Sequence, residues 1–324
     1  MSTSLQSMEL RPARLHRPLL ALTALMGVTA VACAGLVFLA PVEILGANGW
    51  IKPLKFSISI AIFSMTIALI IDMLDRRGRA RAWMWWLGTA MAILLLIEQV
   101  IIVAAVVRGT TSHFNVSDPA VSVLWTIMGA SIAIVWVLTL VLGVVVWALR
   151  GGDPARRIGL RLGIVIGLVG MAVAFLMTSP NAEQLRDFQG IAGAHAVGVA
   201  DGGPGIPLLG WSTVAGDLRV PHFIGMHALQ GLPLLVWGME LLAPRVPALR
   251  SVEVRSGFAW IAGGLWAAVT AITTWQALLG QSVLAPGLPI IIATSALVAV
   301  ALIAATAVLR TARRRSAAGS DTPA

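Results

Sequence analysis

Tyrosine is absent from this 324-residue sequence, cysteine occurs once, and lysine occurs only as Lys52 and Lys55. Without tyrosine there is no phenol to act as a radical relay or proton donor. A single thiol, Cys33, excludes an intrachain disulfide. Charged residues are scarce at 11%, against 58% apolar residues and a mean hydropathy of +0.90. Soluble domains carry about a quarter charged residues, so this composition excludes one and makes lipid the main solvent of the chain. Soluble nucleotide-binding and hydrolase signatures are missing as well. Neither Gly151-Gly152 nor the glycine-rich 189–216 stretch has the strand-turn-helix setting of a phosphate-binding loop, and no serine sits in a nucleophile elbow.

What the chain has instead is long apolar runs. A membrane-crossing helix needs about 20 predominantly apolar residues, and eight runs qualify, near 19–40, 54–74, 82–107, 120–149, 159–178, 221–243, 256–280 and 287–309. The expected fold is all-α, a polytopic transmembrane bundle of eight helices forming one domain over 19–309, with tails 1–18 and 310–324. Thr29 to Cys33 has a lipoprotein-like look, but the apolar run continues to Ala40, which favours an uncleaved first helix. Asp118-Pro119 supplies a capping carboxylate and an N1 proline for helix four, and Pro221 opens helix six. The 179–220 connection is far longer than ordinary loops and reads as a cap over a site, with one short helix after Asn181.

Charge distribution orients the bundle. Of the 23 basic residues, all but Lys52, Lys55, Arg108, Arg186 and Arg219 fall in the tails or in the 75–81, 150–161 and 244–255 segments. By the positive-inside rule those segments are cytoplasmic, which puts both termini inside a bacterial cytoplasmic membrane and the 179–220 loop outside. The net charge of +9 is therefore a topology signal and not a nucleic-acid footprint. A faint symmetry accompanies it. Helices two and six both begin beside a proline, Pro53 and Pro221, and helices three and seven both end in a glycine-polar loop, which fits two four-helix halves.

The polar residues gather on the outer side. His113, His195, His222 and His227 all lie there, and imidazoles meeting from separate segments can ligate haem, copper or zinc, or carry protons. For any one of them the plainer role is a loop cap or a satisfied polar group. Glu98 lies about 13 Å below the outer end of helix three at 1.5 Å per residue, and an ionisable group at that depth normally faces the bundle interior with a partner. Two roles suit it: a proton-handling or ligand-binding acid, or a structural, protonated carboxyl bonded to Gln99, Gln230 or another helix. His222 and His227, five residues apart, project roughly 140° from one another on a continuous helix. They cannot grip one metal together, so His227 is expected to turn toward Glu98 or Gln276 and His222 toward His113 or His195. Lys55, Arg108 and Arg219, with Lys52, add positive charge suited to an anionic headgroup, a quinone oxygen or a haem propionate. Interfacial snorkelling is the plainer reading. Asp72, Asp75 and Glu240, near arginines at the inner ends, are expected to be structural.

Three segments carry a resemblance: Arg108-Gly-Thr-Thr-Ser-His-Phe-Asn115, His195 through Pro207, and Gly216-Asp-Leu-Arg-Val-Pro-His-Phe-Ile-Gly-Met-His-Ala-Leu-Gln230. They resemble a family of uncharacterised bacterial multi-spanning membrane proteins. The resemblance spans helices three to six and implies that His113, His195, Asp201, Asp217, Arg219, His222 and His227 belong to recurrent external motifs. In architecture alone the chain is also loosely similar to haem A synthase, with eight helices in two halves and a site toward the outer face. That family draws haem-ligating histidines from even-numbered helices of both halves, and helices two, four and eight here contain none, so paired bis-histidine haems are disfavoured.

Three functions remain open on these residues. One is a metal- or haem-dependent redox protein or enzyme using the four histidines, with Glu98 and His227 catalytic. Another is a proton-coupled transporter of a small molecule through Glu98, His227, Gln230 and Gln276. The third is an accessory or sensory protein binding a partner through the external loop. The bilayer is the one partner composition requires; a small-molecule or lipid-like ligand suits the outer polar cluster, with Lys55, Gln99, Arg108, Asp201, Asp217, Arg219, Gln230 and Gln276 as its binding candidates.

Overall fold

The computed structural model describes residues 15–76 and 82–320, with the side chains of 182 and 316–320 left aside. The basic residues Arg11, Arg14, Arg77, Arg79 and Arg81, on which part of the orientation argument rests, lie outside them. Helices dominate: α1 Arg17–Leu39, α2 Ile51–Arg76, α3 Ala82–Val107, α4 Pro119–Trp147, α5 Pro154–Val173 with a 3-10 turn to Met177, α6 Ala182–Arg186, α7 Arg219–Met226, α8 Ala228–Leu242, α9 Val252–Leu278 and α10 Leu288–Ser320. Two short antiparallel pairs, β1 Glu43–Ile44 with β2 Ala47–Asn48 and β3 Ala196–Val197 with β4 Gly216–Asp217, shape the connections before α2 and α7.

Among the described residues seven helices are long and apolar enough to cross a membrane. Their outward surfaces are apolar too: Val31, Phe38, Ile93 and Val144 are all exposed, as expected where hydrocarbon is the solvent. The sixth apolar run departs from expectation. It is not one helix over 221–243 but two, α7 and α8, divided at His227. The local cause is visible. At the break the Ile224 carbonyl accepts from the Trp266 indole at 2.6 Å, and the Trp266 ring lies where a side chain on Gly231 would stand. Pro233 then removes one more helical donor. A broken helix is tolerated in an apolar bundle when neighbours satisfy the freed groups.

Caps follow the sequence. Asp118 accepts from Ala120 and Val121 amides at 2.9 and 3.1 Å, and Asn181 closes a capping box on α6. At the opposite end of the bundle, Asp153 caps α5 and pairs with Arg255 at 2.8 Å, Arg156 pairs with Glu240, and Asp72 with Arg76. These pairs give Asp72 and Glu240 the arginine partners that their place in the sequence implies. The fifth histidine, His16, caps α1 at that same end, and its Nε2 donates to the Trp85 carbonyl at 2.9 Å.

Packing repeats itself along the chain. In the first part α1 packs on α2 and α3, α2 on α3, and α3 on α4. In the second, α5 packs on α7, α8 and α9, α8 on α9, and α9 on α10. The parts meet chiefly through α4 against α5. The ends of α3 and α9 match in detail: Gly109 and Gly280 both turn left-handed, at φ 68° and 71°. Each then closes two bonds back into its helix, Gly109 to Val106 and Thr110 to Ala105, Gly280 to Ala277 and Gln281 to Gln276.

A close backbone contact joins α5 and α7, where a Cβ on Gly170 would stand 2.2 Å from the Met226 nitrogen and one on Gly225 would stand 2.5 Å from Gly170 Cα. Gly170→Ala is therefore expected to cost about 1–3 kcal/mol, read as a lower thermal midpoint in detergent. Gly129→Ala on α4, with nothing within 4 Å, is expected to leave the midpoint unchanged or raise it.

Candidate functional site

The N-terminus of α2, the C-termini of α3 and α9, and the start of α7 converge at one end of the bundle, covered by the 108–118 and 178–218 connections. Glu98 is 2% exposed there. Its Oε1 stands 3.7 Å from His113 Nε2, and its Oε2 has no hydrogen-bond partner among the described residues. The partner is thus His113, from the loop directly after α3, and not Gln99, Gln230 or His227. Gln99 turns away and donates to Ser57 Oγ at 2.9 Å and the Pro53 carbonyl at 3.2 Å. Ser112 holds His113 Nδ1 at 3.1 Å, while Phe56, Phe114 and Trp125 surround its ring with centroids 5.4–6.0 Å away.

Phe114 joins this pair to a second one. Its other neighbour is His195, at 4.8 Å between centroids, whose Nδ1 lies 2.6 Å from Asp201 Oδ2. Asp201 also accepts the His195 and Ala196 amides. Burial would raise this carboxyl, but the His195 hydrogen bond and those amides outweigh it and bring its pKa down to about 2. Burial holds His195 below its ordinary value even though Asp201 pulls the other way, so the imidazole is neutral near pH 7. Burial, then the charge of Lys52, depress His113 further. A carboxylate on Nδ1 makes that nitrogen the donor and leaves Nε2 as the basic lone pair, the orientation used by general bases.

His222 and His227 stand apart from these pairs. They flank Phe223 at 5.6 and 6.2 Å, with Trp211 of the loop behind it. His222 Nδ1 donates to the Gly170 carbonyl at 2.9 Å, not toward His113 or His195. His227 Nδ1 lies 3.4 Å from Gln230 Oε1, and neither Glu98 nor Gln276 meets it. Among the described residues no group of three or more His, Cys, Asp or Glu side chains is arranged to hold a metal ion. The four imidazoles sit in two pairs, three of them with Nδ1 engaged at 3.1 Å or less. This donor set does not fit a three-donor metal centre.

The remaining candidates divide between tethers and cations. Asp217, 3% exposed, accepts from the Ser212 and Arg219 amides and the Arg219 guanidinium. Gln276 donates to the Ser282 carbonyl, and Ser282 Oγ to the Ser212 carbonyl, tying the 212 and 282 loops together. Lys55 donates to the Leu209 carbonyl at 2.7 Å. Arg108, exposed beyond α3, makes no side-chain hydrogen bond or ion pair among the described residues. Sequence reasoning missed the aromatic framework of Phe56, Phe114, Trp125 and Phe223. Its one signal was the His-Phe dipeptide, which occurs at 113–114 and again at 222–223.

No family model, curated protein or solved structure matches the chain. The site must speak through its own geometry.

Because burial keeps His113 and His195 below their ordinary pKa when folded, the unfolded chain takes up protons first as pH falls. Their stabilisation is complete above about pH 6.5 and is lost below it, by about 1.4 kcal/mol per unit of depression once the pH passes the folded value. Asp201, at about 2, stays ionised throughout that window. The change in thermal midpoint in detergent on going from pH 7.5 to pH 5 is expected to be more unfavourable in wild type than in His113→Asn. Identical pH dependences in the two would contradict the burial of a neutral imidazole at 113.

Proposed function

We propose that the protein is an eight-crossing membrane protein with cytoplasmic termini. Its non-cytoplasmic end is an acid–base site acting on a small-molecule or lipid-like substrate. The observation that carries this reading is the pair of imidazole–carboxylate couples on one ring, Glu98–His113 and His195–Asp201 about Phe114. His195, oriented by Asp201, presents Nε2 as the base. Glu98, with one oxygen free, handles the proton at the apolar end of the site. Acid–base groups held in this way typically contribute 10²–10⁴-fold to a rate.

The divided α7–α8 segment supports the eighth crossing, since its two pieces follow one another over a single apolar run and pack together on α5. The repeated packing order and the matched ends of α3 and α9 support two four-helix halves. One interior contact repeats as well: Ser57 on α2 meets Gln99 on α3, and Gly225 on α7 meets Thr270 on α9. The basic residues on the other side, Arg156, Arg255 and Arg315 among them, support the orientation. A proton-coupled carrier is less well supported. Below Glu98 the buried polar groups are isolated hydroxyls such as Ser64, Ser131 and Thr139, far from a continuous path. A metal ion held by three protein donors would need ligands that the described histidines do not bring together.

Two experiments test this. A cysteine at 208, in a Cys33→Ser background, is expected to react with an impermeant maleimide in intact spheroplasts, and a cysteine at 151 only after lysis. The reverse pattern would invert the site. Mass spectrometry of lipids and metabolites from expressing cells is expected to show a product with wild type and Asp72→Asn. That product is expected to drop at least about 100-fold with His195→Asn or Glu98→Gln. Equal profiles for all four would overturn the acid–base reading.

A further inference from the structure

Every carboxylate at the site has a partner of its own: Asp217 has Arg219, Asp201 has His195, and Glu98 has His113. The two lysines have none. The Lys52 ammonium makes no hydrogen bond or ion pair among the described residues, although its electrostatic neighbours are Glu98, Arg219, Asp201 and Lys55. Lys55 reaches only a carbonyl, that of Leu209, and Arg219 extends past Asp217 to the next carbonyl, that of Gly210. The two cations come from different helices yet converge. A Cβ placed on Gly210 would lie 3.7 Å from Arg219 Nη1 and 4.0 Å from Lys55 Nζ.

The turn that supplies those carbonyls is costly to hold. Leu208 adopts φ 64°, a left-handed conformation unfavourable for a leucine, and leaves its side chain 69% exposed. Backbone carbonyls are weak acceptors for a guanidinium and an ammonium compared with an anionic oxygen. Beneath them Glu98 Oε2 remains a buried oxygen with no partner.

We propose that Lys52, Lys55 and Arg219 form a binding site for an anionic group, a phosphate or carboxylate, for which the Leu209 and Gly210 carbonyls hold the place. The group belongs either to a free small molecule or to a lipid headgroup. Its binding releases the 206–211 turn and sets the rest of the ligand over Phe114 and His195. This deepens the acid–base reading by naming the class of its substrate, and it rests on that reading only for what happens after binding.

The test is ligand-induced stabilisation of the full chain, with sodium chloride at equal ionic strength as control. In detergent, inorganic phosphate and succinate are the probes; in nanodiscs, phosphatidylglycerol is compared with phosphatidylcholine. A saturable rise in thermal midpoint with the free anions, weakened at least about tenfold by Lys52→Gln and Lys55→Gln, supports a soluble ligand. A rise with phosphatidylglycerol alone, lost in the same variants, supports a headgroup. No rise above the chloride control in either arm, or rises unchanged by both substitutions, would overturn the proposal. Lys52→Gln removes an ammonium that holds nothing in place, so the test survives if Lys55→Gln fails to fold. Anion binding is read by stability and chemistry by product mass, so failure of the one is distinguishable from failure of the other.

Discussion

In a hydrocarbon solvent each backbone amide and carbonyl must find its partner inside the chain, and each buried side-chain polar group that fails to do so costs free energy. The architecture follows from that constraint. Long helices satisfy their own backbones, and where one breaks, at His227, the Trp266 indole takes up the Ile224 carbonyl. Side-chain polarity concentrates at the two ends: arginine–carboxylate pairs at one, histidines and lysines at the other. Between them lie mostly apolar contacts, with isolated hydroxyls that bond back to their own helices, such as Thr139 to the Val135 carbonyl.

Against that background Glu98 stands out. It is buried, its Oε2 has no hydrogen-bond partner among the described residues, and the imidazole 3.7 Å from its Oε1 is kept neutral by its surroundings. The second couple is built in the opposite manner, since Asp201 is saturated with donors and held ionised. Two carboxyls in contrasting environments around one aromatic ring are a recurrent way of dividing acid and base roles. In the proposed function the cations at the same end bind negative charge, which would place binding and proton transfer side by side on different residues.

Much of this was legible in the chain. Run length located the long apolar helices, Asp118-Pro119 and Asn181 their caps, and four of the histidines one polar end of the bundle. The break at His227 was not legible, because the bond that stabilises it comes from Trp266, about 40 residues on. The pairings were not legible either. Glu98 takes His113 because the left-handed turn at Gly109 folds the loop back over α3. Helical spacing alone points His227 toward Glu98 or Gln276 and carries no trace of that turn. His222 was misassigned for a related reason: the glycine contact between α5 and α7 brings the Gly170 carbonyl within its reach.

The central claim is that His195 is a neutral base oriented by an ionised Asp201. Histidine-selective nitrogen-15 spectroscopy of the detergent-solubilised protein at pH 7 tests it most directly. The account expects, besides His222 with its Nδ1 proton on the Gly170 carbonyl, a second imidazole with a protonated Nδ1 and a bare Nε2, absent in His195→Asn and altered in its Nδ1 proton by Asp201→Asn. A His195 found as the opposite tautomer, or as a cation at that pH, would contradict it.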